Sequence, residues 1–126
     1  MKVTDWLLTQ DAFIQYLVQK DLLQAKDEVL QPLQAKILEE GIGALLLSKQ
    51  DPNTFLWGGG LYSPKYISTH YTLLQLCQLG ANLNQFPFHQ ALDKLVTGMW
   101  VKGGKVSKNR HQDICVVAMM VSMAVQ

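Results

Sequence analysis

The sequence predicts an all-α fold in which antiparallel helical hairpins form two layers. Strand patterns are almost absent, and apolar residues recur with a period of about 3.6 residues, as they do along one face of a helix. Segments with a polar stripe (27–40 and 87–101) alternate with segments that are apolar on nearly every side (68–80 and 112–125). Because a helix without a polar side must be enclosed by protein, we expect the second pair to form the inner layer.

The first half of the chain contains three helical patterns. Residues 11–23 keep the helical period throughout. The next segment begins near Asp27, a residue type that caps helices, although Pro32 would disturb a helix anywhere beyond its first turn. Gly41 is a typical C-terminal stop, and residues 44–49 are predicted to form one or two further turns.

The second half contains the remaining helices. Ser68 can cap the apolar segment that Gly80 ends. Segment 87–101 combines one apolar stripe with a polar side, and Asp113 precedes the last, wholly apolar segment.

Length and composition indicate one globular domain covering residues 1–126. A chain of 126 residues that is 48% hydrophobic and only 17% charged can bury its own core and does not have the composition of a disordered protein. The net charge of +1 gives no basic surface that would attract nucleic acid, so we expect no nucleic-acid partner.

Asp5 and Asp11 interrupt what would have to be the apolar part of a signal peptide, which favours a cytoplasmic location. The longest apolar run, 114–125, is shorter than the roughly 20 residues needed to cross a bilayer, so no membrane span is expected. Cys77 and Cys115 are too few for a disulfide framework and lack zinc-finger spacing, so reduced thiols are expected.

The triple glycine at 58–60 lacks the context of a nucleotide-binding loop. A phosphate loop needs a fixed glycine, lysine and hydroxyl pattern after a buried strand, and a dinucleotide loop needs spaced glycines between strand and helix. Neither the pattern nor the strand is present, so we interpret the glycines as a turn.

Two stretches resemble a known superfamily. Residues 43–50, GALLLSKQ, followed by Asp51-Pro52-Asn53 and then Trp57-Gly58, resemble the QW repeat of terpenoid cyclases and protein prenyltransferases. In that repeat a helix ends in glutamine and a tryptophan packs back over the helix end, so the amide and the indole protect loose backbone groups. The residues of this structural turn are Gln50, Trp57, Gly58, Gly59 and Gly60.

The resemblance extends to residues 51–80, which look like bacterial proteins with prenyltransferase or squalene-oxidase repeats, and to 113–124, which look like a later inner-helix start. It implies that the fold is part of an α/α toroid. It also implies longer relatives, so that the chain would be a truncated portion whose last helix needs a partner.

The resemblance further implies a cavity whose mouth is lined by the starts of the inner helices. The residues a ligand would meet there are Tyr62, Lys65, His70 and Tyr71. Asp113 and Cys115 resemble the Asp-x-Cys zinc ligands of prenyltransferase β subunits, with His70, or His111 in its place, as the third ligand. Three such ligands with an open fourth position would form a catalytic zinc site.

Structural roles stay open for the same residues. Asp113 can be a helix cap, Cys115 a small buried apolar residue, and His70 a hydrogen-bonded residue at a helix start. The Asp-rich acid motif of the cyclases is absent, so the sequence shows no acid that would initiate cyclisation.

Two functions therefore remain. The favoured hypothesis is a non-catalytic helical module that self-associates or binds a protein partner through the apolar helix at 112–125. The alternative is a prenyltransferase-like or cyclase-like protein with a cavity for an apolar, isoprenoid-like ligand, and with zinc held by His70, Asp113 and Cys115.

Overall fold

The structure, a computed structural model, describes residues 2–99 and 114–126. Within these residues the chain is all-α, with seven α-helices and no β-strand, which confirms the predicted fold class. A π-helical turn at Val18–Leu22 continues the second helix. The helices are α1 (Val3–Leu7), α2 (Ala12–Leu17), α3 (Asp27–Lys36), α4 (Gly41–Ser48), α5 (Thr69–Gln78), α6 (Phe88–Met99) and α7 (Ile114–Ala124).

Most of the helix pairs that pack together are neighbours along the chain. The helix α2 packs against α3, and α5 packs against α4, α6 and α7. The buried apolar residues form one cluster that draws on both halves of the chain. Its largest fully buried members are Ile37, Trp57, Leu73, Leu76, Phe88, Leu95 and Met123. The helix α5 therefore lies at the centre of the contacts that hold the second half together.

The side chain of Asp11 ties two helices together. One carboxylate oxygen accepts the Phe13 N–H at 3.3 Å at the start of α2, and the other accepts the Ile42 N–H at 2.9 Å at the start of α4. Gly41, which has φ +66°, lies against this carboxylate and begins α4. The predicted role of Gly41 as the stop of the preceding helix was therefore wrong, because α3 already ends at Lys36.

The start of α3 also differs from expectation. Lys26 is the N-cap, and Asp27 is the first helical residue. Pro32 lies inside the helix and does not end it. Its side chain is exposed, and the proline removes the hydrogen bond that its own N–H would have donated.

The stripe predicted on 87–101 is present in α6. Phe88, Ala91 and Leu95 are buried, while Asp93 and Lys94 on the polar side are exposed. The spacing of three and then four residues places the buried side chains on one face of the helix.

The helix α7 is not enclosed as the sequence predicted. Val116 and Met120 face the core, whereas Ile114 is 83%, Val121 56% and Val125 76% exposed. The apolar sequence is compatible with burial on all sides, but within the described residues only α5 and α6 make substantial contacts with α7. Among the described residues, none therefore covers the outward face of this helix.

No helix in the part of the chain described here combines the length and the hydropathy needed to span a membrane.

Candidate functional site

The loop after α4 closes on itself through Asp51. One carboxylate oxygen of Asp51 accepts the N–H groups of Asn53 at 2.8 Å and Thr54 at 3.0 Å, and the backbone N–H of Asp51 donates to the Leu56 carbonyl at 2.9 Å. The hydrogen bonds from the backbone of Thr54 and Asn53 hold the pKa of Asp51 below its usual value. The carboxylate therefore remains charged and keeps the loop compact near neutral pH.

The loop delivers Trp57 to the end of α4. The indole is 1% exposed, and its Nε1–H donates to the Leu46 carbonyl at 2.7 Å. Gln50 donates instead to the Phe55 carbonyl at 3.0 Å, inside the loop. The indole therefore satisfies the carbonyl in the last turn of the helix, while the glutamine amide closes the turn that carries the indole.

The three glycines let the chain double back next to Trp57. Gly60 lies against the Ser63 carbonyl so closely that a Cβ would overlap it. A Cβ on Gly58, which has φ +60°, would lie 2.8 Å from the Ile67 carbonyl, whereas the corresponding space at Gly59 is open. The close approach is thus to the segment that leads into α5, and not to the helix itself.

Carbonyls of this turn bind the first N–H groups of α5. The Thr69 N–H donates to the Gly60 carbonyl at 3.1 Å, and the His70 N–H donates to the Leu61 carbonyl at 2.8 Å. The free N–H groups of a helix start can bind an anion, but two of those at this start are already occupied. The start of α5 is consequently held in place by the turn and does not offer these two donors to a ligand.

Four aromatic residues around the start of α5 form what we call the tyrosine–histidine cluster: Tyr62, Tyr66, His70 and Tyr71. The His70 ring centroid lies 5.3 Å from that of Tyr62 and 5.1 Å from that of Tyr71, and the Tyr66 ring lies 5.2 Å from Tyr71. The Tyr71 hydroxyl donates to the Tyr62 hydroxyl at 2.9 Å. This hydrogen bond, followed by partial burial, raises the pKa of Tyr71, so its phenol stays protonated.

His70 is the unusual member of the cluster. Its side chain is 0% exposed, and neither ring nitrogen has a hydrogen-bond partner among the described residues. Burial lowers the pKa of His70, which favours the neutral imidazole. An unpaired polar group in the interior costs free energy, so a hydrogen-bond partner at either nitrogen would stabilise the fold.

Lys65 and Cys115 lie close enough to Tyr71 to change its pKa, because the lysine charge lowers this pKa and the cysteine raises it.

Cys115 is exposed, so its alternative interpretation as a buried apolar residue was wrong. Asp113 and His111 fall outside the described residues. In residues 2–99 and 114–126, no three His, Cys, Asp or Glu side chains are grouped so that they could hold a metal ion.

The other thiol has different surroundings. Burial raises the pKa of Cys77 to about 11, so this cysteine stays protonated at neutral pH. A protonated, half-buried thiol is a poor nucleophile and a poor metal ligand.

Sequence reasoning missed Tyr66 and the cavity beside it. The cavity has a volume of about 440 Å³ and lies between the end of α4 and the segment that leads into α5. Tyr66 has φ +70°, and no periodic pattern or motif in the sequence signals that conformation. The residues that line the cavity are Leu46, Lys49, Trp57, Gly58, Tyr66, Ile67 and Thr72.

We predict that His70 makes the protein less stable in mild acid. The unfolded chain takes up a proton near pH 6.5, whereas the folded chain resists it because the pKa of His70 is lowered. Stability is therefore fully present above about pH 6.5 and falls as the pH drops below it.

Urea unfolding between pH 7.5 and 5, with a chelator present, should show this loss in the wild type and a smaller one in His70→Leu. His89→Gln, which alters an exposed histidine, is the control and should keep the wild-type slope. Equal slopes in all three proteins would contradict the assignment.

No family model matches this sequence, and comparisons with curated proteins and with solved structures likewise give no match.

Proposed function

We propose that this chain is a helical association module that binds a second copy of itself through the outward face of α7. The observation that carries the proposal is the exposed apolar stripe on that helix. Its residues are Ile114, Ala118 and Val121 on the helix and Val125 directly after it.

The spacing of the stripe suits helix–helix contact. Its members follow one another at intervals of four, three and four residues, which is the seam spacing of a two-helix coiled coil. The opposite face, with Val116, Met120 and Met123, packs on the core, so the helix is apolar on two sides. Such a helix can pack on the core of its own chain with one face and contact an apolar surface of another molecule with the other.

Charge favours a second copy as the occupant. Residues 114–126 contain no Asp, Glu, Lys or Arg, so the stripe carries no charge pattern that would select a different partner. An uncharged, self-complementary face can form a symmetric contact in which each copy presents the same residues.

The same stripe supports the proposal that this module forms a portion of an α/α toroid, where neighbouring hairpins cover such helices. Trp57 packs over the end of α4 and donates to Leu46, which is the arrangement that the resemblance to QW repeats implies. The all-α fold and the packing of α5 against α6 are also compatible with this proposal.

We predict a weak dimer. A single helix face buries less than the roughly 800 Å² per partner of a standard interface, so a dissociation constant on the order of 10 µM is expected. Val121→Lys should make the protein monomeric, because two charges would face each other across the contact. Sedimentation velocity over a range of protein concentrations measures this.

Val29→Lys is the matched control, because it makes the same substitution at an exposed valine on α3. It should leave the dimer intact. A wild-type protein that is monomeric up to several hundred micromolar, or equal dissociation in both variants, would refute self-association through α7.

A second candidate is a zinc-dependent protein with an apolar ligand, and the buried, unpartnered ring of His70 favours it. An imidazole nitrogen and a thiolate are ligands that zinc accepts, and Cys115 presents an exposed thiol near the same cluster. Both residue types fit the metal, and Asp113 would be the third ligand. A bound zinc ion would act as a Lewis acid at this position.

If the protein is zinc-dependent, we predict that it contains about one zinc ion per chain. Elemental analysis of purified protein should show that His70→Ala and Cys115→Ser each lose the metal, while Cys77→Ser keeps it. Absence of zinc after purification and after incubation with zinc salts would refute the zinc-dependent function. It would not bear on the proposed self-association through α7.

A further inference from the structure

The cavity beside Trp57 is separate from the other two candidate sites. Its volume of about 440 Å³ lies within the range of roughly 300–1,000 Å³ that is usual for sites of small organic molecules. His70 does not line it, and Tyr66 is the one member of the tyrosine–histidine cluster that does. The cavity is also formed by elements other than α7, so it is independent of the proposed association surface.

The inner wall of the cavity is apolar and held in place. Trp57 is buried and hydrogen-bonded to Leu46, and both residues contribute to the wall. The Thr72 hydroxyl already donates to the Ser68 carbonyl at 2.9 Å, so it is not free to donate to a ligand. A wall that is already fixed loses little conformational freedom when a ligand binds.

The outer wall is formed by Tyr66 and Ile67, whose side chains are 69% and 61% exposed. A non-glycine residue seldom adopts a φ of +70°, and such conformations are concentrated at binding sites. The ring of Tyr66 is nevertheless supported by Tyr71, at a centroid distance of 5.2 Å. The exposed apolar surface of this wall would be shielded by a ligand in the cavity.

Lys49 supplies the one charge among the described residues of the lining. None of these residues carries a carboxylate. Asp51 is the acidic residue nearest to Lys49 in sequence. Its carboxylate accepts the N–H groups of Asn53 and Thr54, and the lysine whose charge lowers its pKa is Lys94. The ammonium group of Lys49 is therefore available to an anion at the mouth of the cavity.

We propose that this cavity binds a small amphiphilic monocarboxylate, such as a medium-chain fatty acid. Its hydrocarbon part would lie against Leu46, Trp57 and Ile67, and its carboxylate would contact the ammonium group of Lys49. Tyr66 also lines the cavity, and its hydroxyl is a donor of the type that a carboxylate accepts.

Calorimetric titration with octanoate tests whether the Lys49 charge contributes to binding. Octan-1-ol serves as the uncharged ligand of the same length. We expect one octanoate per chain and a weakening of about fivefold in Lys49→Met, because an exposed charge pair contributes modestly. Lys36→Met, at an exposed lysine on α3, should bind as the wild type does. Octan-1-ol should bind the wild type and Lys49→Met equally.

Ile67→Trp tests the location, since a larger side chain at this exposed position would fill the mouth of the cavity without disturbing the core. Binding of both ligands should be lost, and in the wild type the indole N–H signal of Trp57 should shift on titration with octanoate. Absence of octanoate binding, equal binding by Lys49→Met and the wild type, or unchanged binding by Ile67→Trp would each overturn the proposal.

Discussion

The hydrogen bond from the Trp57 indole to the Leu46 carbonyl is the contact on which the arrangement around α5 depends. It anchors the loop at 51–60 to the end of α4, and from there the glycines turn the chain back toward α5. The carbonyls of Gly60 and Leu61 then bind the first N–H groups of that helix. A buried indole with a satisfied N–H combines a large apolar contact with a directional one, which suits it to this position.

The same arrangement produces two sites with different chemistry. In the tyrosine–histidine cluster, burial favours the neutral form of an imidazole that is unpartnered among the described residues. In the cavity, Trp57 is part of an apolar lining in which Lys49 is the charged residue among those described. We propose a polar ligand atom that completes the hydrogen bonds of His70 for the first site, and an amphiphile with a negative charge for the second.

The helical elements could be predicted from the sequence because their signals are local. The stripe of α6 follows from residue spacing alone, and the region of α2 is recognisable in the same way. The residues of α7 alone predicted an enclosed helix, because an apolar helix carries no information about how many neighbours cover it. Only the resemblance to a longer fold implied that this helix needs a partner. The conformation of Tyr66 is equally invisible, since it arises from the path of the chain between the turn and α5.

The candidate site was partly predictable for a similar reason. Tyr62, His70 and Tyr71 surround one helix start, so placing that start correctly brought them together. The burial of the His70 ring is a tertiary property and had no local signal. Lys49 was missed because its role comes from a cavity formed by residues far apart in sequence.

Hydrogen exchange in Trp57→Phe tests the central claim most directly, with Trp6→Phe, at a half-exposed tryptophan on α1, as the control. If the indole anchors the turn that holds α5, the amides of Thr69 and His70 should exchange faster in Trp57→Phe, by more than amides in the core of α3 do. Trp6→Phe should leave them unchanged. Unchanged protection of Thr69 and His70 in Trp57→Phe, with exchange faster only at the end of α4, would contradict the claim.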